Sequence, residues 1–129
     1  MNYHHSKKLS NTSFEKAIVR VTEELQKEGF GILTEVDVTA TFKKKLDIDF
    51  RNYRILGACN PNYAFKAISS EDKIGVFLPC SVVVQEHENG EVEVSAVDPI
   101  ASMMSVENDS LGDIATEAQS KLKKAINSL

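Results

Sequence analysis

Apolar side chains recur at helical spacing near the start of the chain. They follow one another at steps of four, three and four residues, which places them on one face of an α-helix. The residues of this face are Phe14, Ile18, Val21 and Leu25. Thr12 and Glu15 precede the helix with the spacing of a capping box, in which each side chain satisfies a free backbone N–H. Gly29 predicts the end of the helix, because glycine readily adopts the left-handed conformation of a helix C-cap.

A strand pattern comes next. Apolar and other residues alternate from Phe30 to Val38, which predicts a strand whose Phe30, Ile32, Val36 and Val38 face the core. The pattern predicts a short helix from Thr39 to Leu46 and a strand from Tyr53 to Ala58. Asn60-Pro61 predicts a helix start, since Asn is a good N-cap and Pro at the first helical position loses no hydrogen bond.

The second half of the chain predicts two more strands and a long helix. Ile74 to Leu78 and Cys80 to His87 read as strand segments on either side of Pro79. Asn89-Gly90 predicts a two-residue hairpin turn, and Asp98-Pro99 predicts the end of the following strand. Asp109 or Ser110 then caps a last amphipathic helix. Its apolar residues are Leu111, Ile114, Ala118, Leu122, Ala125 and Leu129.

These elements predict an α+β fold. Helices do not alternate regularly with strands, and the hairpin requires antiparallel pairing. We therefore expect a curved antiparallel sheet with two longer helices packed on one face, in the order β-α-β4-α with short inserted helices. No linker or repeat divides the chain, so residues 1–129 are expected to form a single domain.

Composition narrows the functional classes. The 129 residues are 42% hydrophobic and 26% charged with a net charge of −4, which is typical of one ordinary soluble domain. Lys43-Lys44-Lys45 is the main basic cluster, so nucleic acid is not an expected partner. The most apolar stretch, Ile74 to Val84, is eleven residues long and too short to span a bilayer. With no secretory signal, we expect a cytoplasmic protein without a membrane partner.

Three sequence stretches carry a resemblance to a known family. They are Gly29 to Val38, Ile55-Leu56-Gly57-Ala58-Cys59-Asn60-Pro61, and Leu78-Pro79-Cys80-Ser81-Val82-Val83-Val84. Together with Asp98-Pro99 and the final helix, they resemble the bacterial and archaeal domain of unknown function 302 family. The resemblance implies a β-α-β4-α layout related to the TATA-binding-protein-like folds, and it implies no established activity.

The resemblance also marks individual positions. The family's recurrent polar and special residues fall on Glu35, Asp37, Lys45, Cys59, Asn60, Pro61, Pro79, Cys80 and Asp98. Ser81 departs from the pattern, because the family often has Asn there, so the resemblance carries over no role that needs an amide at this position.

The two cysteines suggest one kind of chemistry. Cys59 precedes the predicted cap Asn60, where the positive end of a helix would favour a thiolate. Cys80 lies on a strand that could neighbour it, so the pair could form a reversible disulfide. The simpler interpretation is that both thiols are small buried side chains. A metal site is not predicted, since His87 and Cys80 would lie on opposite faces of a regular strand.

Two carboxylates suggest another chemistry. Glu35 and Asp37 lie two residues apart and therefore share one face of their strand, pointing outward or into a cleft under a second layer. Such a pair could perform acid–base chemistry. Lys45 or Arg54 could equally pair with them as a surface ion bridge.

These observations favour a binding or assembly module. The segment from Ile74 to Val84 is hydrophobic on both sides, which predicts helices on one side and a second copy of the chain on the other. We therefore expect a homodimer, with a possible small-molecule cleft at the seam and no cofactor. The alternative is a thiol-based redox or sulfur-handling protein that uses Cys59 and Cys80. The sequence contains no recognisable catalytic constellation that would indicate an enzyme.

Overall fold

A computed structural model describes residues 2–129 as a five-stranded sheet with helices. The strands are β1 (His4–Leu9), β2 (Gly31–Asp37), β3 (Tyr53–Cys59), β4 (Cys80–Glu86) and β5 (Val92–Val97). The helices are α1 (Phe14–Lys27), α2 (Val38–Leu46), α3 (Pro61–Ser70), α4 (Pro99–Ser102) and α5 (Leu111–Asn127), with a 3-10 turn at Ile74–Phe77. Without the short helices the order is β-α-β4-α.

All neighbouring strands are antiparallel, in the order β1-β5-β4-β3-β2. The hairpin between β4 and β5 has a loop one residue longer than predicted: the N–H of His87 donates to the carbonyl of Glu91 at 2.8 Å, so Glu88-Asn89-Gly90 form a three-residue loop. Gly90 has the positive φ of 86° that such a loop needs at its last position. The hairpin places Val84 opposite Val94. Paired residues point to the same face, so the register decides which side chains meet.

The two longer helices cover one face of the sheet. Val82, Val84, Val92 and Val94 from the β4–β5 hairpin are fully buried against α1 and α5. The helices contribute Phe14, Ala17, Val21, Leu25, Ala118, Leu122, Ala125 and Ile126 to the same core. The predicted α+β class, with two longer helices on one face, is therefore confirmed. The other face of the sheet, here called the open face, carries no helix among the described residues.

The start of α1 differs from the prediction by one residue. Ser13, not Thr12, is the N-cap, and its Oγ accepts a hydrogen bond from the backbone N–H of Lys16 at 3.1 Å. Both residues carry a hydroxyl that can cap a helix, so the pattern alone does not choose between them. The predicted end is confirmed, since Gly29 has φ of 86°.

A β-bulge in β2 overturns the predicted orientation of its second half. The register shifts between Ile32 and Thr34, so Leu33 is an extra residue that reverses the alternation. Val36 therefore lies opposite Ile55 on the open face and is exposed, contrary to the prediction that it faces the core. Glu35 lies opposite Leu56 on the helix-covered face.

The predicted strand at Ile74 to Leu78 is also wrong. Ile74–Phe77 forms a 3-10 turn, with the N–H of Val76 donating to Lys73 and that of Leu78 donating to Gly75, both at 3.1 Å. Gly75 has a low strand propensity, and Pro79 has no N–H for a ladder hydrogen bond. The apolar run therefore bends before β4 begins at Cys80.

Candidate functional site

The two cysteines lie at adjoining ends of neighbouring strands. Cys59 ends β3 and Cys80 begins β4, and the register places Ala58 opposite Cys80. Both are free thiols. Cys80 is 9% exposed and Cys59 is half-buried. The two cysteines therefore lie on adjacent strands and line the same small space.

The surroundings of Cys80 suppress thiolate chemistry. Burial raises the pKa of the Cys80 thiol to about 11, and charge repulsion from Cys59 adds to this rise. The space beside the two thiols is only ≈ 30 Å³, enough for a water molecule but not for a substrate. These features describe packed side chains.

Asn60 is the helix cap that its position predicts. Its Oδ1 accepts hydrogen bonds from the backbone N–H groups of Asn62 at 3.2 Å and Tyr63 at 3.4 Å at the start of α3. Its amide also packs against the backbone after α1, because a Cβ at Gly29 would lie 2.8 Å from Asn60 Nδ2. The structure thus gives Asn60 a fold-stabilising role.

Glu35 and Asp37 surround an arginine at the opposite end of the β2–β3 pair. Arg54 Nη1 lies 3.0 Å from a Glu35 carboxylate oxygen, and Nη2 lies 3.3 Å from Asp37 and 3.8 Å from Glu15 of α1. Asp37 also caps α2, since its Oδ1 accepts from the backbone N–H of Ala40 at 2.9 Å. The predicted ion bridge is made by Arg54.

We expect Arg54→Met to destabilise the fold by about 1–2 kcal/mol, because Arg54 is only 19% exposed on its side chain and holds three carboxylates. Guanidinium chloride would screen these charges, so urea unfolding is the appropriate measurement. Arg20→Met, at an exposed position of α1, is the matched control and should change stability by less than about 0.5 kcal/mol. Equal stabilities of the two variants would show that the cluster contributes nothing.

The remaining predicted residues lie elsewhere. Lys45 is exposed in the last turn of α2, where Lys43 makes the ion pairs with Asp47 and Asp49. Asp98 caps α4, accepting from Ile100 N–H at 2.9 Å, and its second oxygen accepts from Gln119 Nε2 of α5 at 2.9 Å.

The seven predicted site residues therefore do not form one site. Cys59 and Arg54 mark opposite ends of β3, about 16 Å apart along the strand. Within residues 2–129, no group of three or more His, Cys, Asp or Glu side chains could hold a metal ion. Local capping and packing explain Asn60, Asp98 and Cys80 without a ligand.

A hollow lies on the open face, which sequence reasoning did not select. Its volume is ≈ 380 Å³, within the range of about 300–1,000 Å³ that is usual for small-molecule sites. It spans β1, β5, β4 and β3 and is called the open-face hollow. Its lining residues are Tyr3, His4, Ser6, Tyr53, Ser81, Val83, Gln85, Glu93, Ser95, Ala96 and Val97.

A row of hydrogen bonds crosses one side of the open-face hollow. Ser6 Oγ donates to Ser95 Oγ at 2.7 Å across the β1–β5 pair, and His4 Nδ1 lies 2.7 Å from Ser6 Oγ. These contacts link side chains of β1 and β5 in one row, and each serine hydroxyl carries both a donor and acceptor sites.

A second polar group lies near the hairpin end. Glu93 Oε1 lies 2.9 Å from His87 Nε2, and Gln85 Oε1 accepts from Arg51 Nε at 3.1 Å. Val83 lies between the two polar groups on the same face. The open-face hollow thus combines an apolar centre with hydroxyl, amide and carboxylate groups.

A sequence signal for this site existed but was weak. The open-face residues of β4 and β5 alternate with the buried valines: Ser81, Val83 and Gln85 on β4, and Glu93, Ser95 and Val97 on β5. Small hydroxyl side chains at such positions leave space above the sheet. Only the strand order shows that Ser6 joins them.

Comparison with known proteins assigns the chain to a family. The family model described as "Domain of unknown function DUF302" matches residues 5–129. The chain belongs to the DUF302 family. A crystal structure described as that of the uncharacterized conserved protein DUF302 from Bacillus stearothermophilus is similar to it, with 30% sequence identity, 98% of each chain covered and a TM-score of 0.90. No curated protein matches the chain.

The DUF302 match extends from His5 in β1 through α5 and includes the residues that line the open-face hollow except Tyr3 and His4. Within the DUF302 chain, Ser81 lies in this hollow, at the position where the resemblance leads one to expect Asn. None of the helices in residues 2–129 is long and apolar enough to cross a membrane. The family description assigns no activity, so function must be argued from the site.

Proposed function

We propose that this DUF302 protein is a binding module that holds a small, uncharged polar molecule in the open-face hollow. The observation that carries the proposal is a hollow of ≈ 380 Å³ with an apolar centre and hydrogen-bonding groups around it. Ligand sites have this composition: apolar contact supplies affinity, and a few polar groups fix orientation.

The polar groups favour an uncharged ligand with both donor and acceptor atoms. Ser95 offers a hydroxyl group, while Glu93 and Gln85 offer oxygen acceptors. The Glu93 carboxylate would repel an anion, and its contact with His87 at 2.9 Å already offers it a hydrogen-bond donor. An amide, a urea or a polyol therefore matches the lining better than a carboxylate, a phosphate or an ammonium group.

The thiol alternative is less well supported. A resolving cysteine must reach the thiolate form to take part in disulfide exchange. Burial instead raises the pKa of Cys80, and the cysteines adjoin a space of only ≈ 30 Å³. Binding of a small molecule requires no chemical reaction, so the proposed function includes no cofactor.

A fragment titration followed by amide NMR tests the proposal. We expect uncharged amides, ureas or polyols to shift resonances of Ser81, Val83 and Ser95 in a saturable way. Val83→Lys fills the hollow with a long charged side chain, and it should weaken binding of those fragments at least about 10-fold.

Val36→Lys is the matched control, because Val36 lies on the same face outside the hollow. It should leave fragment affinity unchanged, and the amide spectra of both variants report whether each is folded. Charged fragments binding in the hollow would overturn the ligand class. If no fragment shifts these resonances at millimolar concentration, the binding function itself is wrong.

A further inference from the structure

A group of exposed apolar side chains lies on α3 and the following 3-10 turn. Val76 is 82% exposed and Phe65 is 74% exposed, while Ile68 and Phe77 are 46% and 38% exposed. These four residues are called the α3 patch. Exposed apolar residues also occur on other elements, namely Val19 on α1, Leu33 and Val36 on β2, Leu46 and Ile48 at the end of α2, and Met104 after α4.

The α3 patch rests on an ordered base. Phe65 and Ile68 lie three residues apart and share one face of α3. Beneath them, Ala67 of α3 and Ile74 of the 3-10 turn are buried together in a small second core. The turn contacts α3, so Val76 and Phe77 are held beside the helix rather than on a free loop.

We propose that the α3 patch is the interface through which two copies of this chain form a homodimer. The four exposed fractions correspond to roughly 400 Å² of apolar surface per copy, the size at which exposed patches usually mark an interaction site. A stable dimer buries about 800 Å² per partner, a little more than half of it non-polar. The α3 patch supplies about that non-polar share.

Charge also favours a second copy as the occupant. The chain has a net charge of −4, which opposes self-association in general. The charged residues next to the α3 patch in sequence balance, with Lys66 and Lys73 against Glu71 and Asp72, and Lys73 Nζ lies 3.5 Å from Asp72 in the single chain. A two-fold axis brings this surface against itself, so lysines of one copy can meet carboxylates of the other.

The α3 patch places the dimer contact at a different part of the segment that the sequence suggested for it. The segment from Ile74 to Val84 is apolar on both sides, but β4 presents Ser81, Val83 and Gln85 on the open face. The exposed apolar residues of this segment are Val76 and Phe77, in the 3-10 turn. The dimer contact and the open-face hollow therefore use different residues and can fail separately.

Sedimentation velocity from 1 to 200 µM tests the inference. We expect the wild-type chain to approach twice its 14.3 kDa mass as concentration rises. Phe65→Glu and Val76→Glu should each weaken dimerisation at least about 30-fold, because a charge would be buried in the contact. Both side chains are exposed in the single chain, so folding should be unaffected, as circular dichroism can verify.

Val19→Glu is the matched control, since it adds the same charge at an exposed valine on α1. It should dimerise like the wild type. A wild-type chain that remains at 14.3 kDa at 200 µM would overturn the inference. A dimer that survives Phe65→Glu and Val76→Glu but is lost in Val83→Lys would place the contact on the open face, and the inference would again be wrong.

Discussion

Gly57→Ala should destabilise the protein by about 3 kcal/mol, a large effect for a single methyl group. A Cβ at Gly57 would lie 2.7 Å from Pro79 Cγ and would meet Thr34 Oγ1 still more closely. Neither neighbour can move easily, because Thr34 belongs to β2 and the proline ring is rigid. Glycine inside a strand commonly marks such a close approach.

Urea unfolding of three variants separates this clash from a general effect of alanine. Thr34→Ala should relieve part of the cost, so the double variant with Gly57→Ala should be more stable than Gly57→Ala alone. Gly112→Ala is the matched control: no atom lies within 4 Å of its Cβ position in α5, and it should stabilise the helix by about 0.5–1 kcal/mol. A loss below about 1 kcal/mol for Gly57→Ala would show that the sheet adjusts freely.

The fold was predictable where local rules act within a few residues. Gly29 ends α1 and Gly90 ends the hairpin loop, because both positions need a positive φ that few other residues adopt. The bulge at Leu33 was not predictable. It inserts one residue without a distinctive composition, and that one residue moved Glu35 and Asp37 to the helix-covered face.

The candidate site was predictable only in part, for a related reason. Asn60, Asp98 and Asp37 stood out as special residues, but each satisfies backbone N–H groups at a helix start. In this chain, therefore, these distinctive residues are required by the fold. The open-face hollow draws on four strands, so it depends on strand order and register.

Strand order explains why Ser6 and Ser95 meet. They are 89 residues apart in the chain and pair only because β1 lies beside β5. A polar residue on an exposed strand position is ordinary when seen alone. Such a residue indicates a binding site only when neighbouring strands place further small hydroxyl groups around the same space. That arrangement depends on the assembled sheet.

The Cys80 thiol should react with an aromatic disulfide reagent at least about 100-fold more slowly in the folded protein than in the unfolded chain at pH 8. A pKa of about 11 leaves on the order of 0.1% thiolate at that pH, against about a quarter for an ordinary cysteine. Stopped-flow labelling of Cys59→Ser, which retains only Cys80, gives the rate with and without denaturant.

The same shift predicts how stability depends on pH. The folded state holds the Cys80 proton more tightly than the unfolded chain, whose thiol titrates near about 8.5. The stabilising contribution is therefore complete below that pH and is lost as pH rises toward 11. Cys80→Ala should remove this part of the pH dependence, which urea unfolding from pH 7 to 11 would detect.

Cys80→Ala also serves as the control for reactivity, because it retains only the half-buried Cys59. Cys59 should label faster than Cys80 in the folded protein, since reagent access to it is greater. Native labelling of Cys80 with an apparent pKa below about 8.5, together with oxidation that links the two thiols without unfolding, would contradict the packing role. That result would favour the thiol function over ligand binding in the open-face hollow, because burial without any compensating interaction disfavours the thiolate.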